Sequence, residues 1–486
     1  MPELIKLDEP PLLFGYNQTL EDPRDGLTLF NPLDEGSVYG VRAGVIGTPE
    51  GIERYKRWVE SIQQPIFELD SNKNETKEHR PLYPGFEAAF GIEWKAKPVL
   101  ELTISPEKIN QTIYIKDQHQ RVFKTVDLFA RRILKAKSEE DAHVDIWFVV
   151  IPDSIYKYCR PKSEVEVALV VPSNEKMTLK RAKELQRSPS LFEEENDLTV
   201  PYQYEVNFHN QLKARLLPDK ILTQIVRETT LCPEDFPLGD LSAVAWRLST
   251  GVFYKVGGRP WKIDSVREGV CYIGLVFKED LTSADPCSAC CAAQMFLDSG
   301  DGIVFKGNVG PWRVPGTGDF HLKPKAAEQL IDQAVNSYRD KFGEPPRELF
   351  IHGKVNFNDE EWSGFTKAVD TKKTNLVGVQ IYAENHFKLF RKKTRPVLRG
   401  TAYIRNNFSA YLWTKGFIPR LQTYPGRGVP KPLAINIRRG EVSMRTVLQD
   451  ILALTKLNYN TCMLADGQPV TLKFADAVGE ILTAGP

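Results

Sequence analysis

The sequence has no long apolar run. Nothing in it approaches the roughly 18 consecutive apolar residues of a spanning helix, so no membrane segment is expected. The opening residues, MPELIKLDEPP, lack the apolar stretch of a secretory signal. Net charge is only +1 across 486 residues. That excludes a global basic field, and any nucleic-acid contact has to come from local clusters. Cysteine is scarce. Seven residues, an odd number scattered along the chain, suit a reducing cytoplasm rather than a disulfide scaffold. Cys287-x-x-Cys290-Cys291 offers part of a zinc pattern, but no second CxxC or HxxxH completes four ligands. Cys290 and Cys291 read instead as small residues entering a strand.

What is present is an ordinary globular composition, 42% hydrophobic and 26% charged, on a length that predicts two to four domains. Residues 1–36, rich in Pro, Asp and Gly, read as an extended lead-in. From 37 to 260 the pattern is α/β. Residues 38–47 read as a strand. Thr48-Pro49-Glu50 then caps a helix over 51–62, with apolar Ile52, Tyr55, Val59 and Ile62 at spacings of three and four. The loop between them holds only Gly44 and Gly47, which excludes a Walker or Rossmann phosphate loop. The polar run 71–78 reads as a surface loop, 99–104 and 112–115 as strands, and 126–136 as a helix. Residues 144–152 are almost wholly apolar, the character of a strand covered on both faces of a parallel sheet.

Ligands of open α/β sheets bind beyond the carboxyl ends of the strands. The loop predicted there, 153–162, interleaves Tyr156 and Tyr158 with Lys157, Arg160 and Lys162. That combination provides an aromatic face for a base and cations for phosphates. Residues 173–197 are polar and charged, and read as a helix plus an insertion. A further strand is predicted over 220–227, with Gln224 near its centre. A helix over 241–256, capped by Asp240 and stopped by Gly257-Gly258, carries Arg247 and Lys255 about 80° apart around its axis.

The second half opens on a buried strand, 270–277, followed by a hairpin over 292–297 and 303–306 turning through Ser299-Gly300-Asp301-Gly302. A helix is predicted from Lys323-Pro324 to Phe342, a strand over 347–355 and a helix over 360–369. Strands are predicted over 376–381, 386–390, 400–404, 410–413 and 433–437, and closing helices over 444–457 and 472–482. A meander first and helices last is an RNase H-like order.

Several separate blocks resemble Argonaute proteins. Phe148-Val149-Val150-Ile151-Pro152 with its Tyr/Lys loop, Thr223-Gln224, and Arg247 with Lys255-Val256-Gly257-Gly258 resemble the MID domain. Residues 261–486 resemble the PIWI domain. Tyr156-Lys157-Tyr158-Cys159-Arg160-Pro161, Cys290-Cys291-Ala292-Ala293-Gln294-Met295 and Asp450-Ile451-Leu452-Ala453-Leu454 are similar to short prokaryotic Argonautes, which lack the N and PAZ domains. The resemblance implies an α/β fold class: a Rossmann-like MID domain over 37–260, then an RNase H-like PIWI domain over 261–486.

It also implies a site for the 5′ end of a guide strand. Tyr156 would stack on the first base, and Lys157 or Arg160 would meet the phosphate. Gln224 would donate a hydrogen bond, Lys255 would clamp the phosphate, and Arg247 stands where many relatives have Lys. The family also places a divalent cation, Mg²⁺, at the guide phosphate. For cleavage, several carboxylates must converge on two Mg²⁺ ions. The family's first aspartate falls on Val276 and its second on Gly353; Asp476 survives at the last acidic place. Asp298 and Asp301 read as structural residues of the hairpin. Valine and glycine hold no cation, so the chain is expected not to cut its target. Phosphate contacts are expected at Arg391-Lys392-Lys393, Arg395, Arg399, Arg420, Arg427 and Lys431.

By resemblance, the guide is RNA and the target single-stranded DNA. In such systems an inactive Argonaute pairs with a separate subunit carrying an APAZ domain and an effector, most often a TIR and next a sirtuin-like NAD-degrading domain. The expected role is cytoplasmic immunity against plasmids and phage. The alternatives are an active guide-directed nuclease with relocated carboxylates, and a nucleic-acid-binding protein with no effector.

Overall fold

The computed structural model describes the chain apart from residues 1, 68–81, 172–176, 233–240, 265–266, 281–282, 284, 286, 298–301, 306–308, 315, 317, 393–394, 425 and 427. The polar run 71–78, the cap Asp240, and Asp298, Asp301, Lys393 and Arg427 therefore lie outside the described residues.

The first 36 residues are not simply extended. They form β1 (Glu3–Lys6), β2 (Leu12–Leu13), β3 (Thr19–Leu20) and α1 (Pro23–Phe30). Asp22 explains the helix: its side chain accepts from Arg24 N, and Pro23 follows at the first helical position. The lead-in is stitched to the second half, since β1 pairs with residues 401–404 and β2 with residues 262–263.

The next segment comprises β4 (Ala43–Gly47), α2 (Pro49–Ser61), α3 (Phe86–Phe90), β5 (Leu100–Thr103), α4 (Pro106–Ile113), α5 (Gln118–Glu139) and β6 (Ile146–Ile151). It continues with α6 (Asp153–Tyr158), α7 (Leu179–Arg187), α8 (Glu193–Asp197), α9 (Phe208–Leu216), β7 (Thr223–Arg227) and α10 (Leu241–Lys255). Its strands run in the order β5-β4-β6-β7, all parallel. Alternate residues of β6 explain its unbroken apolar run. Phe148 and Val150 join the core cluster under α2, while Trp147, Val149 and Ile151 join the one under α5 and α9.

Two expectations give way here. Residues 112–115 are not a strand; 112–113 end α4, where Ser105 accepts from Lys108 N and Pro106 starts the helix. Ile109 and Ile113, four apart, bury one face, so capping and periodicity outweigh the local β-propensity. The loop predicted at 153–162 begins as α6, because Ile155 and Tyr158 both point into the core.

The second half comprises β8 (Lys262–Ile263), β9 (Val270–Glu279), β10 (Ala289–Leu297), β11 (Gly302–Phe305), β12 (Val309–Gly310), α11 (Pro324–Phe342), β13 (Glu348–Gly353), α12 (Asp359–Lys367) and β14 (Asn375–Ala383). It closes with β15 (Thr401–Asn406), β16 (Ser409–Trp413), β17 (Leu433–Arg439), α13 (Met444–Leu454) and α14 (Val470–Leu482). The sheet order is β1-β15-β16-β17-β14-β13-β9-β10-β11, with β12 beside β10. The β9, β13 and β14 strands are parallel and the others antiparallel. No strand forms at 386–390. Glu384 turns the chain by accepting from His386 N at 2.7 Å, and Phe387 packs over Tyr411 and Trp413 instead of joining an edge.

The α14 helix lies across β9 at Gly274, where any side chain would collide with the Thr471 carbonyl. One apolar cluster runs from Phe148 through Trp246, Phe253 and Trp261 to Val276, Leu472 and Ala475, so both halves share a core. Among the described residues, no helix is long and apolar enough to cross a membrane.

Candidate nucleic-acid interface

Gln224 sits near the start of β7, and Lys255 ends α10. Lys255 Nζ donates to Gln224 Oε1 at 2.6 Å and to the Thr223 carbonyl at 3.2 Å. Both acceptors are neutral. The nearest influential charge is another cation, Lys213 of α9. Burial first, then Lys213, lowers Lys255 to about 7. Burial lowers Lys213 as well, and burial followed by Lys213 lowers His209. Among the described residues neither lysine has an ion-pair partner. Two desolvated ammonium groups, one within the field of the other, are costly, and an anion bound beside them removes that cost.

His209 and Lys213 were not singled out in the sequence. The available signal was their spacing: Asn207 caps α9 by accepting from His209 N and Asn210 N, and residues four apart share a helix face. That helix leads into the strand of Gln224. Helix α14 packs on α9, and the Glu205 amide donates to the Ala484 carbonyl there.

The other predicted site residues do not converge on this recess. Tyr156, about half exposed, lies beyond the carboxyl end of β6, with the guanidinium groups of Arg160 and Arg227 5.0 and 4.8 Å from its ring. Arg227 also pairs with Asp153 at 3.1 Å. Three residues separate Gln224 from Arg227, roughly 10 Å along the strand, and opposite parity turns their side chains to opposite faces. Lys157 is engaged elsewhere, bonded to Glu166 at 2.7 Å, and this partner raises its pKa. Arg247 is exposed on α10, two turns before Lys255. Lys255 is thus bonded to Gln224, while Tyr156 lies with Arg160 and Arg227, Lys157 is bonded to Glu166 and Arg247 is exposed.

Val276 and Gly353 lie on neighbouring parallel strands, one residue out of register, since Gly353 pairs with Leu275. Val276 is 3% exposed, packed in the cluster with Leu472 and Ala475. Asp476 of α14 does come to the ends of these strands, but between two cations: Lys278 Nζ at 3.3 Å and Lys354 Nζ at 3.2 Å. Lys278 also reaches Glu480 at 3.1 Å. This donor set does not fit two divalent cations: two of its positions are apolar, and the remaining carboxylate is neutralised by ammonium groups. Among the described residues, no group of three or more His, Cys, Asp or Glu could hold a metal. Cys290 and Cys291 are buried on β10, as their size suggested.

The predicted phosphate contacts separate in the same way. Arg399 is 3% exposed and structural, bonded to Glu9 at 2.9 Å and to Thr455 Oγ1 at 3.0 Å. Arg420 pairs with Asp25 at 2.5 Å. Arg395 lies over the Phe417 ring and donates to Gln422 at 3.2 Å, and Lys431 donates to Asn385 at 2.9 Å. Arg391 and Lys392 are exposed.

An open parallel sheet joined through a shared core to a mixed sheet with helices packed on it defines a class. The chain has the MID–PIWI fold of Argonaute and Piwi proteins. It matches three solved structures along almost its whole length. A Clostridium butyricum Argonaute bound to a guide DNA (5′ deoxycytidine) and a 19-mer target DNA aligns over 100% of the chain, with TM-score 0.65 and 18% identity. Drosophila Piwi aligns over 99% with TM-score 0.61 and 12% identity, and A. aeolicus Argonaute over 99% with TM-score 0.57 and 15% identity. The chain spans 54% of each of these proteins. No protein-family model matches it, and no curated protein matches it in sequence.

Proposed function

We propose that this chain holds the 5′-phosphorylated end of a guide RNA in the recess of His209, Lys213, Gln224 and Lys255, and uses that guide to recognise single-stranded DNA without cutting it. The observation that carries the reading is the pair of lysines with no ion-pair partner among the described residues, in a MID–PIWI fold. A terminal phosphate supplies the missing charge, and charge-assisted hydrogen bonds from Lys255 and Lys213 hold it. Gln224 orients the Lys255 ammonium. A Mg²⁺ ion at the guide phosphate would add to the positive charge these side chains supply. The solved Clostridium relative with guide and target DNA bound lends the reading support by fold.

Non-cleavage is favoured by Val276, Gly353 and the Lys278–Asp476–Lys354 arrangement. A chain that recognises without cutting needs another component to act. We assign that to a separate APAZ-containing subunit with a TIR effector, or secondarily a sirtuin-like one, in a short-Argonaute defence system against plasmids and phage in the cytoplasm.

The direct test is binding of labelled RNA and DNA guides with 5′-phosphate or 5′-hydroxyl ends, followed by incubation of the loaded protein with target DNA and Mg²⁺ or Mn²⁺. Preference for phosphorylated RNA, with an intact target, is expected. If about six to ten phosphates are contacted, affinity falls by orders of magnitude between low and moderate salt. Equal affinity for both guide ends, or a product cut opposite the guide centre, overturns the reading. Purification of the native chain without a second subunit removes the effector part alone.

A further inference from the structure

A recess lies in the second half, at the end of β13 and β14 opposite Gly353. It has a volume of about 420 Å³ and is lined by Arg347, Trp362, Thr366, Thr371, Lys372 and Lys373, among others. Arg347 precedes β13, whereas Gly353 ends it, so the recess is roughly 20 Å of strand away from the degenerate acidic positions.

Its walls are held in place before any ligand arrives. Asp370 closes the turn that carries the lysines: its Oδ1 accepts from Lys372 N at 3.1 Å, and its carbonyl accepts from Lys373 N at 2.8 Å. Thr374 Oγ1, buried behind them, donates to the Pro346 carbonyl at 2.7 Å. The Trp362 ring is fixed against Phe357 and Phe365, with centroids 5.9 and 6.0 Å away, and stays half-buried at the recess. Among the described residues, Arg347, Lys372 and Lys373 form no ion pair. Three uncompensated cations, hydroxyls and a fixed indole match a phosphate joined to an aromatic ring, and the volume lies within the usual ligand range.

We propose that this recess binds a phosphorylated nucleoside, either free or as the terminal nucleotide of a strand. The ring packs against Trp362, and the phosphate lies among Arg347, Lys372 and Lys373.

The probe is 2-aminopurine riboside 5′-monophosphate, whose fluorescence is quenched on stacking, titrated into the full chain at low salt. Binding is expected to weaken at least tenfold in K372A/K373A, two exposed positions whose replacement leaves the melting temperature unchanged. It stays within twofold in K213A/K255A, which separates this site from the guide recess. The W362F variant reduces the quench. Inorganic phosphate and the unphosphorylated nucleoside bind at least tenfold more weakly. Displacement of the probe by an oligonucleotide with the same 5′-terminal nucleotide identifies a strand end as the ligand; absence of displacement identifies the free nucleotide. Loss of binding in K213A/K255A but not in K372A/K373A, or competition by inorganic phosphate as strong as by nucleotide, overturns the proposal.

Discussion

Lys255 Nζ donates to Gln224 Oε1 at 2.6 Å, with Lys213 as the neighbouring charge that depresses it and no carboxylate in reach of an ion pair among the described residues. The charge balance is completed by a ligand. Replacing Lys255 with Met keeps an unbranched stem of similar length and removes the donor. A charge-assisted bond of this kind contributes about 1.5–3 kcal/mol. The K255M variant should therefore lose roughly ten- to a hundredfold of the preference for 5′-phosphate over 5′-hydroxyl guides, measured by filter binding of the two ends side by side.

The same lysine makes binding pH-dependent. In the free protein Lys255 titrates at about 7. A phosphate dianion favours the ammonium form and raises that value, so binding takes up a proton between pH 7 and 9. Affinity should fall by up to about tenfold per pH unit across this window, and K255M should flatten the profile. The stability of the guide-free protein runs the other way. The unfolded chain keeps the proton that folded Lys255 releases, so stability rises with pH from about 7 towards the ordinary lysine value. The difference in urea midpoint between wild type and K255M isolates that slope.

Tyr156 provides the contrast. Its ring lies by Arg160 and Arg227 beyond the end of β6. Y156A should leave the 5′-phosphate preference within about twofold of wild type. A loss as large as that of K255M would show that the two groups act on one guide end.

Restoring an acid at Val276 should fail. The position is 3% exposed and packed against α14. An aspartate there buries an unpaired charge, for which a cost of about 3 kcal/mol or more is expected. V276D should unfold at lower urea and, with Lys278 and Lys354 still on Asp476, should give no cleaved target with Mn²⁺.

Arg399 is the structural counterexample among the predicted phosphate contacts. Against the upward push of burial, Arg399 and Lys456 hold the Glu9 carboxyl below its ordinary range. This ties the lead-in to the second half. R399A leaves Glu9 with one partner and should destabilise the chain by about 3–5 kcal/mol. Stability tied to the low Glu9 pKa is present above the usual carboxylate range and is lost as pH falls through the folded value. In an acid titration followed by circular dichroism, wild type should lose more stability than R399A.

Most of the architecture was legible in local pattern. The apolar run of β6, the Thr48-Pro49 cap of α2, the periodicity of α11 and the meander order announced a parallel sheet followed by a mixed one. Where prediction failed, a local signal had been misweighted or a segment was held by distant contacts. Ser105-Pro106 made a helix end of 112–113, and Phe387 was drawn over Tyr411 instead of forming a strand.

The lack of acids at Val276 and Gly353 and the presence of Gln224 and Lys255 are legible from residue type and spacing along one chain. The sequence could not decide which cations share a recess. Lys213 meets Lys255 because α9, β7 and α10 converge there and α14 closes over α9. Tyr156 lies by Arg160 and Arg227 beyond the end of β6. Lys278 and Lys354 close on Asp476 because Gly274 lets α14 lie directly on β9. These are relations between elements far apart in the chain, set by packing, and only the tertiary structure decides them.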